Sequence, residues 1–176
     1  MFIRKKLKGK NIYLECLTKK NINKNYSNWL KDKKINKFLE VRFVKSQFSL
    51  NKIFSNIQTY NKSKNIVLFG IFCNNLHIGN IKILNDKNHK RSEIGILIGD
   101  INYWGKGVGS EAINLASNFA IKNFKAEFLF AGCYKSNIAS IKSFKKAGWK
   151  LNSIIKNYWK LKNSREDWVL LSKQKK

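Results

Sequence analysis

The ten residues YWGKGVGSEA (103–112) constrain the fold of this chain more than any other stretch. They sit where an alternating apolar run, SEIGILIGD (92–100), gives way to a helical stripe of Ala112, Leu115, Ala116, Phe119, Ala120 and Phe124. A strand that enters a glycine-rich turn and then a helix leaves the first helical N–H groups without intrahelical acceptors, and the helix dipole there favours an anion. Glycines at 105, 107 and 109 keep Cβ atoms out of the way, so a diphosphate can approach the main chain. Two phosphate loops are excluded by spelling. A Walker A loop needs Lys-Ser/Thr after its last glycine, and the dinucleotide fingerprint G-x-G-x-x-G finds Ser110 at its third position. A tight strand-to-helix turn without a ligand is the alternative at this point.

Periodicity supplies the remaining elements. NIYLECL (11–17) reads as a strand, followed by a helix capped by Thr18 that carries Ile22, Tyr26, Trp29 and Leu30. A second amphipathic helix is predicted near 49–60, with Ser49 as its cap. NIVLFGIFC and LHIGNIKIL form a hairpin across Asn74-Asn75, because asparagine tolerates positive φ. AEFLFAGCY is another strand, a helix runs from about Asn137 to Ala147 and stops at Gly148, and KLNSIIKNYWKL and EDWVLLS close as a hairpin. The order predicts an α+β fold: a central mixed, largely antiparallel sheet of about six to seven strands with helices on both faces. No linker or repeat divides residues 1–176, so one domain is expected.

Charge narrows the partners. The chain carries a formal net charge of +26, yet only Arg4, Arg42, Arg91 and Arg165 are arginines, and the lysines are dispersed. Arginine's planar fork is the better tool for phosphate and base edges. A solvated lysine coat from biased composition, or an anionic ligand, therefore accounts for the charge better than nucleic acid. Cys16, Cys73 and Cys133 are odd in number and have no metal-ligand spacing, so free thiols in a cytoplasmic protein are expected and no metal. Nothing reads as a signal peptide or membrane span, and a monomer or homodimer is expected.

A second motif sharpens the first. In NIASIKSFKKAGWKL (137–151), Asn137, Ser140, Phe144, Gly148 and Trp149 follow the spacing N-x-x-S-x-x-x-aromatic-x-x-x-G-aromatic. With IGILIGDINYWGKGVGSEA, this resembles the GNAT superfamily of acetyl-CoA-dependent N-acetyltransferases, in the branch of ribosomal-protein N-terminal acetyltransferases and related small-amine enzymes. Trp104, Gly107 and Gly109 fall on the three defined positions of its [QR]-x-x-G-x-[GA] loop, Trp at the first being common in that branch. The likeness covers about residues 10–172. It implies that the backbone of Gly105, Lys106, Gly107, Val108, Gly109 and Ser110 binds the coenzyme A diphosphate, with Trp104 leading in. It also implies that the strand before the loop splays from its neighbour, so that main-chain groups near Ile98 hold the pantetheine arm, with Asn137, Ser140 and Phe144 contributing from the second motif. Lys106, Lys142 and Lys145 are candidates for the 3′-phosphate, solvated surface being their alternative.

Acetyl transfer needs a neutral amine, a stabilised oxyanion and a proton for the departing thiolate, and holding the reactants together supplies much of the rate. Family members often give that proton from a tyrosine; here the position is Phe144, and Ser140 matches the serine that replaces it in some relatives. Asn137 serves the pantetheine or caps its helix. The stretch AGCYKSN lacks the strand-end glutamate of other relatives, which leaves Glu93, at the head of the strand before the loop, as candidate base or as a solvent-facing partner of Arg91. Glu111 is expected to complement the helix dipole. NWLKDKKINKFLEVRF (28–43) resembles, more loosely, segments of GNAT enzymes from amino-sugar pathways. It makes Glu40 and Arg42, alternating in a strand-like stretch, candidates for substrate binding. The acceptor expected is a nucleotide-linked amino sugar or similar small amine, with a ribosomal-protein N-terminus second, a coenzyme A-binding sensor third and a basic RNA-associated module fourth.

Overall fold

The apolar and β-branched runs become strands: β1 (Leu7–Lys8), β2 (Tyr13–Cys16), β3 (Ile66–Cys73), β4 (Leu76–Asp86), β5 (Arg91–Ile98), β6 (Phe128–Tyr134), β7 (Lys150–Lys160) and β8 (Arg165–Gln174). The helices are α1 (Lys24–Lys31), α2 (Lys33–Asn36), α3 (Leu50–Lys62), α4 (Val108–Asn123) and α5 (Ile138–Lys146), with 3-10 turns at Lys19–Asn21, Glu40–Phe43 and Ile101–Tyr103. The computed structural model describes residues 6–43 and 48–175. The strands make one eight-stranded sheet in the order β1-β2-β3-β4-β5-β6-β8-β7. Every pairing is antiparallel except that of β5 with β6.

Local chemistry explains the joins. Asn74 and Asn75 take φ values of 48° and 63°, the double positive turn that matches strand twist in a two-residue hairpin. Ser49 Oγ accepts from Lys52 N at 3.3 Å and caps α3. Gly148 closes α5 at φ +79°. Alternation along the strands then sorts the core into two layers. Phe69, Ile81, Ile83 and Ile94 pack against Ala112, Ile113, Ala116 and Phe119 of α4 and Phe144 of α5. Leu68 and Phe72 face the other way, toward Tyr26 and Trp29 of α1 and Ile53 and Ile57 of α3. Helices therefore cover both faces, as predicted.

Three expectations change. The sheet has eight strands, because the two-residue β1 pairs with β2, a stretch too short to show periodicity. Thr18 opens only a 3-10 turn. The chain then becomes extended at Ile22, and Asn23 Oδ1, accepting from Tyr26 N at 3.2 Å, starts α1 afresh. Glu40 and Arg42 lie in a 3-10 turn rather than a strand-like stretch. Among the described residues no helix is long and apolar enough to cross a membrane.

Candidate active site

The site begins with a defect in the sheet. β5 and β6 are paired only at Arg91–Phe128, Ser92–Leu129 and Glu93–Phe130. Beyond that point β5 continues along β4 to Ile98, and β6 continues along β8 to Tyr134. The two parallel strands diverge into a wedge whose wide end lies between Ile98 and Tyr134, where neither strand pairs with the other. Trp104, 43% exposed, stands at this mouth with its indole N–H donating to the Ile98 carbonyl at 2.9 Å. The chain turns at Gly99, where a Cβ would collide with the Trp29 ring, so α1 packs directly over the end of β5.

The glycine loop follows. Gly105 and Gly107 have φ of +75° and +81°, and Gly107 is the N-cap of α4. A Cβ at Gly105 would meet nothing within 4 Å, and one at Gly107 would meet only Lys146 Nζ at 3.7 Å. The cradle is therefore open. Glu111 N is the first amide of α4 to close on a helical carbonyl, that of Gly107 at 3.2 Å. The amides of Val108, Gly109 and Ser110 precede it in the first turn and point out of the helix end. Val108 buries its side chain in the core, and Ser110 Oγ donates to the Gly107 carbonyl at 2.9 Å, which holds the turn. Lys106 differs from the rest, since its amide donates back to Tyr103 O at 3.4 Å. Lys146, which the sequence motifs do not single out, puts its ammonium over the loop.

The second motif lines the other side. Asn137 Oδ1 accepts from Ser140 N at 3.2 Å, so Asn137 caps α5. Ser140 Oγ lies 3.4 Å from Cys133 Sγ, which places the hydroxyl beside β6 next to the mouth of the wedge. Burial pushes the Cys133 thiol above its ordinary range, so the sulfur stays protonated. Phe144, expected against the cofactor, is only 1% exposed and packs edge-on to Trp149 with centroids 4.8 Å apart. Its ring belongs to the core. Glu111 stands in the first turn of α4, as expected, and also accepts from Asn11 N at 2.9 Å and Ile12 N at 3.4 Å, which fastens the segment before β2.

At the wide end of the wedge a cavity of about 630 Å³ opens between the Glu40–Phe43 turn and the β7–β8 hairpin. Lys37, Phe38, Arg42, Phe43, Tyr134, Lys160, Leu161, Lys162 and Glu166 line it. Arg42 organises one wall. Its guanidinium donates to Tyr134 Oη at 2.7 Å and to the Lys37 carbonyl, and lies over the Phe43 and Tyr134 rings at 4.4 and 4.9 Å. Tyr134 also stacks on Trp159 at 4.7 Å. Burial raises the Tyr134 phenol, Arg42 opposes the rise, and Glu40 and Glu166 add to it. Glu93 is not brought to this cavity. It sits at the narrow end of the wedge opposite Phe130, four residues before Tyr134, or about 13 Å along a strand. Arg91 does not pair with it but bonds Asp86 Oδ2 at 3.1 Å.

The wedge, the open glycine cradle and the N-x-x-S helix occur together, and the family model for an acetyltransferase (GNAT) domain matches residues 11–150. The chain belongs to the GNAT acetyltransferase family. It is an acyltransferase domain, and acetyl-CoA is the family's acyl donor. Solved GNAT structures share the fold. RimL, a ribosomal L7/L12 alpha-N-protein acetyltransferase solved with coenzyme A, is 16% identical with a TM-score of 0.82, over 97% of this chain and 98% of that one. The microcin C7 self-immunity acetyltransferase MccE, solved with acetyl-CoA and AMP, is 20% identical with a TM-score of 0.78, over 95% and 94%. Among curated proteins, the uncharacterized protein MJ1062 of Methanocaldococcus jannaschii is 35% identical over 91 residues, which is 51% of this chain and 16% of that protein.

Proposed function

We propose that the chain, as one domain, acetylates the primary amine of a nucleotide-linked amino sugar or a similar small anionic amine. The observation that carries this reading is the cation-rich, aromatic-walled cavity at the wide end of the wedge. Its volume lies within the roughly 300–1,000 Å³ of small-molecule sites. Arg42, Lys37, Lys160 and Lys162 suit a diphosphate, and Phe38, Phe43 and Tyr134 suit a base or sugar face. Glu40, on the turn that carries Arg42 but outside the cavity lining, would meet only a sugar hydroxyl that projects past the rim. MccE, of the same fold, is solved with a nucleotide as well as acetyl-CoA. The thiols of Cys73 and Cys133 agree with a cytoplasmic setting.

The open Cβ positions at Gly105 and Gly107, and the ammonium of Lys146 beside them, fit a diphosphate. In this reading the amides of Gly107, Val108, Gly109 and Ser110 hold it, and the unpaired edge of β5 up to Ile98 holds the pantetheine arm. Acetyl-CoA supplies an activated acetyl group, whose carbonyl carbon forms the C–N bond as its C–S bond breaks. Ser140 Oγ gives the proton that the departing sulfur requires. The surrounding cations disfavour a protonated amine in the cavity unless a carboxylate meets it.

A thiol-release assay with acetyl-CoA and a panel of nucleoside-diphosphate amino sugars, N-terminal peptides and polyamines tests the proposal. Turnover of the nucleotide sugars, competed by the free nucleoside diphosphate, is expected. Turnover of peptides alone would replace this reading by N-terminal acetylation of a ribosomal protein, the reading that likeness to RimL favours. Tight acetyl-CoA binding without turnover across the panel would favour a sensor.

A further inference from the structure

The β6–α5 junction, AGCYKSN, offers no carboxylate of its own, and a side chain at Gly132 would run into the Trp168 ring. The structure supplies a carboxylate from the neighbouring strand. β6 and β8 pair at Tyr134–Trp168, and Lys135 N donates to Asp167 O at 3.1 Å, which carries the ladder past the end of β6. Glu166, on the same face of β8 as Trp168, thereby comes level with Ser136, whose amide donates to Glu166 Oε1 at 2.6 Å. That bond orients the side chain into the wall of the acceptor cavity. Among the described residues Glu166 forms no ion pair, and no hydrogen bond engages its Oε2. Its neighbour Asp167 is occupied: Lys135, Lys156 and the Asn157 amide bind it at 3.0, 3.3 and 3.1 Å and hold its carboxyl down at about 2. Glu40 is outside the cavity lining, and Glu93 is at the far end of the wedge.

We propose that Glu166 receives the acceptor's ammonium group in this cavity and takes its proton at Oε2. The inference rests on the cavity being the acceptor site. An N–H bond of the ammonium breaks as an O–H bond forms on Glu166, which later releases the proton to water. The neutral nitrogen forms the C–N bond to the acetyl carbon while the thioester C–S bond breaks. The nitrogen's next proton replaces the one that Ser140 gives to the sulfur.

Glu166→Gln keeps an oxygen for the Ser136 amide and removes the charge. With saturating acetyl-CoA, kcat/KM for the acceptor found in the panel is expected to fall about 100-fold at pH 7. The deficit should shrink as pH approaches the pKa of the amine, where no proton need be removed, and the Kd for acetyl-CoA should not change. Independently of turnover, calorimetry compares a nucleoside-diphosphate amino sugar with its hydroxyl counterpart. The wild type should favour the amine about tenfold or more, as a charge-assisted bond implies, and the variant should bind both alike. A deficit equal at every pH, or a wild type indifferent to amine and hydroxyl, overturns the assignment. Failure of both sugars to bind the wild type refutes the nucleotide reading alone. The pH profile of Glu166→Gln on a peptide acceptor then decides the role of Glu166 by the same criterion.

Discussion

A single methyl group at Gly107 separates the two jobs assigned to the glycine loop. Gly107 sits at φ +81°, where an L-residue costs about 1–2 kcal/mol, so Gly107→Ala lowers stability by that amount. The same change at Gly148, φ +79°, carries the same strain at the end of α5, where the new Cβ would face Lys173 Nζ at 3.7 Å. The two variants should unfold at similar urea concentrations. They should differ in ligand binding, because the Gly107 methyl projects into the open cradle before α4. A charge-assisted main-chain bond contributes about 1.5–3 kcal/mol, so blocking one raises the Kd for acetyl-CoA by about 10- to 150-fold. Gly148→Ala should leave that Kd within about twofold, since substitutions without shared partners act independently. Isothermal titration and urea melts of the pair make the comparison. Equal affinities in the two variants would show that Gly107 serves the turn and not a ligand.

Ser140→Ala should reduce kcat while the Kd for acetyl-CoA stays close to wild type; unchanged turnover removes Ser140 from the mechanism. Phe144→Ala should destabilise by about 3–5 kcal/mol, as for other buried aromatics, measured by urea melts. A small loss of stability with a large loss of acetyl-CoA binding would instead return that ring to the ligand. His77 is boxed by Tyr26, Trp29 and Phe72, and burial holds its pKa below the ordinary value. The unfolded chain then binds the extra proton first as pH falls through about 6.5, so the wild-type urea midpoint should drop from pH 7 to pH 5. His77→Phe should flatten that drop, and an identical slope in both proteins would locate the pH dependence elsewhere.

Features set by neighbouring residues in sequence were legible; features set by tertiary pairing were not. Asn74-Asn75, the Ser49 cap, the Gly148 stop and the loop of Gly105 and Gly107 each follow from one residue's backbone preference, and each stands where periodicity predicts. The first helix began later than Thr18 suggested because Asn23 offers a competing cap five residues on. Arg42 alternates with Glu40 as a strand residue would, yet bonds to Tyr134 and Lys37 hold the segment in a 3-10 turn. Nothing in the local sequence marks Glu166, because its neighbour in space is Ser136, thirty residues away, and only the β6–β8 register unites them. Lys146 is one lysine among many until α5 packs beside α4 and lays it over Gly107. The motif around Phe144 predicts a ligand contact, whereas packing with Trp149 turns the ring inward.

In the proposed mechanism, main-chain amides at the head of α4 grip the diphosphate of acetyl-CoA. Backbone amide resonances of residues 107–110, followed by NMR while coenzyme A or pantetheine without the diphosphate is added, report on that grip. Large shifts at those four amides with coenzyme A, and none with pantetheine, are the predicted result. Equal responses to both ligands, or shifts confined to other parts of the chain, would contradict it.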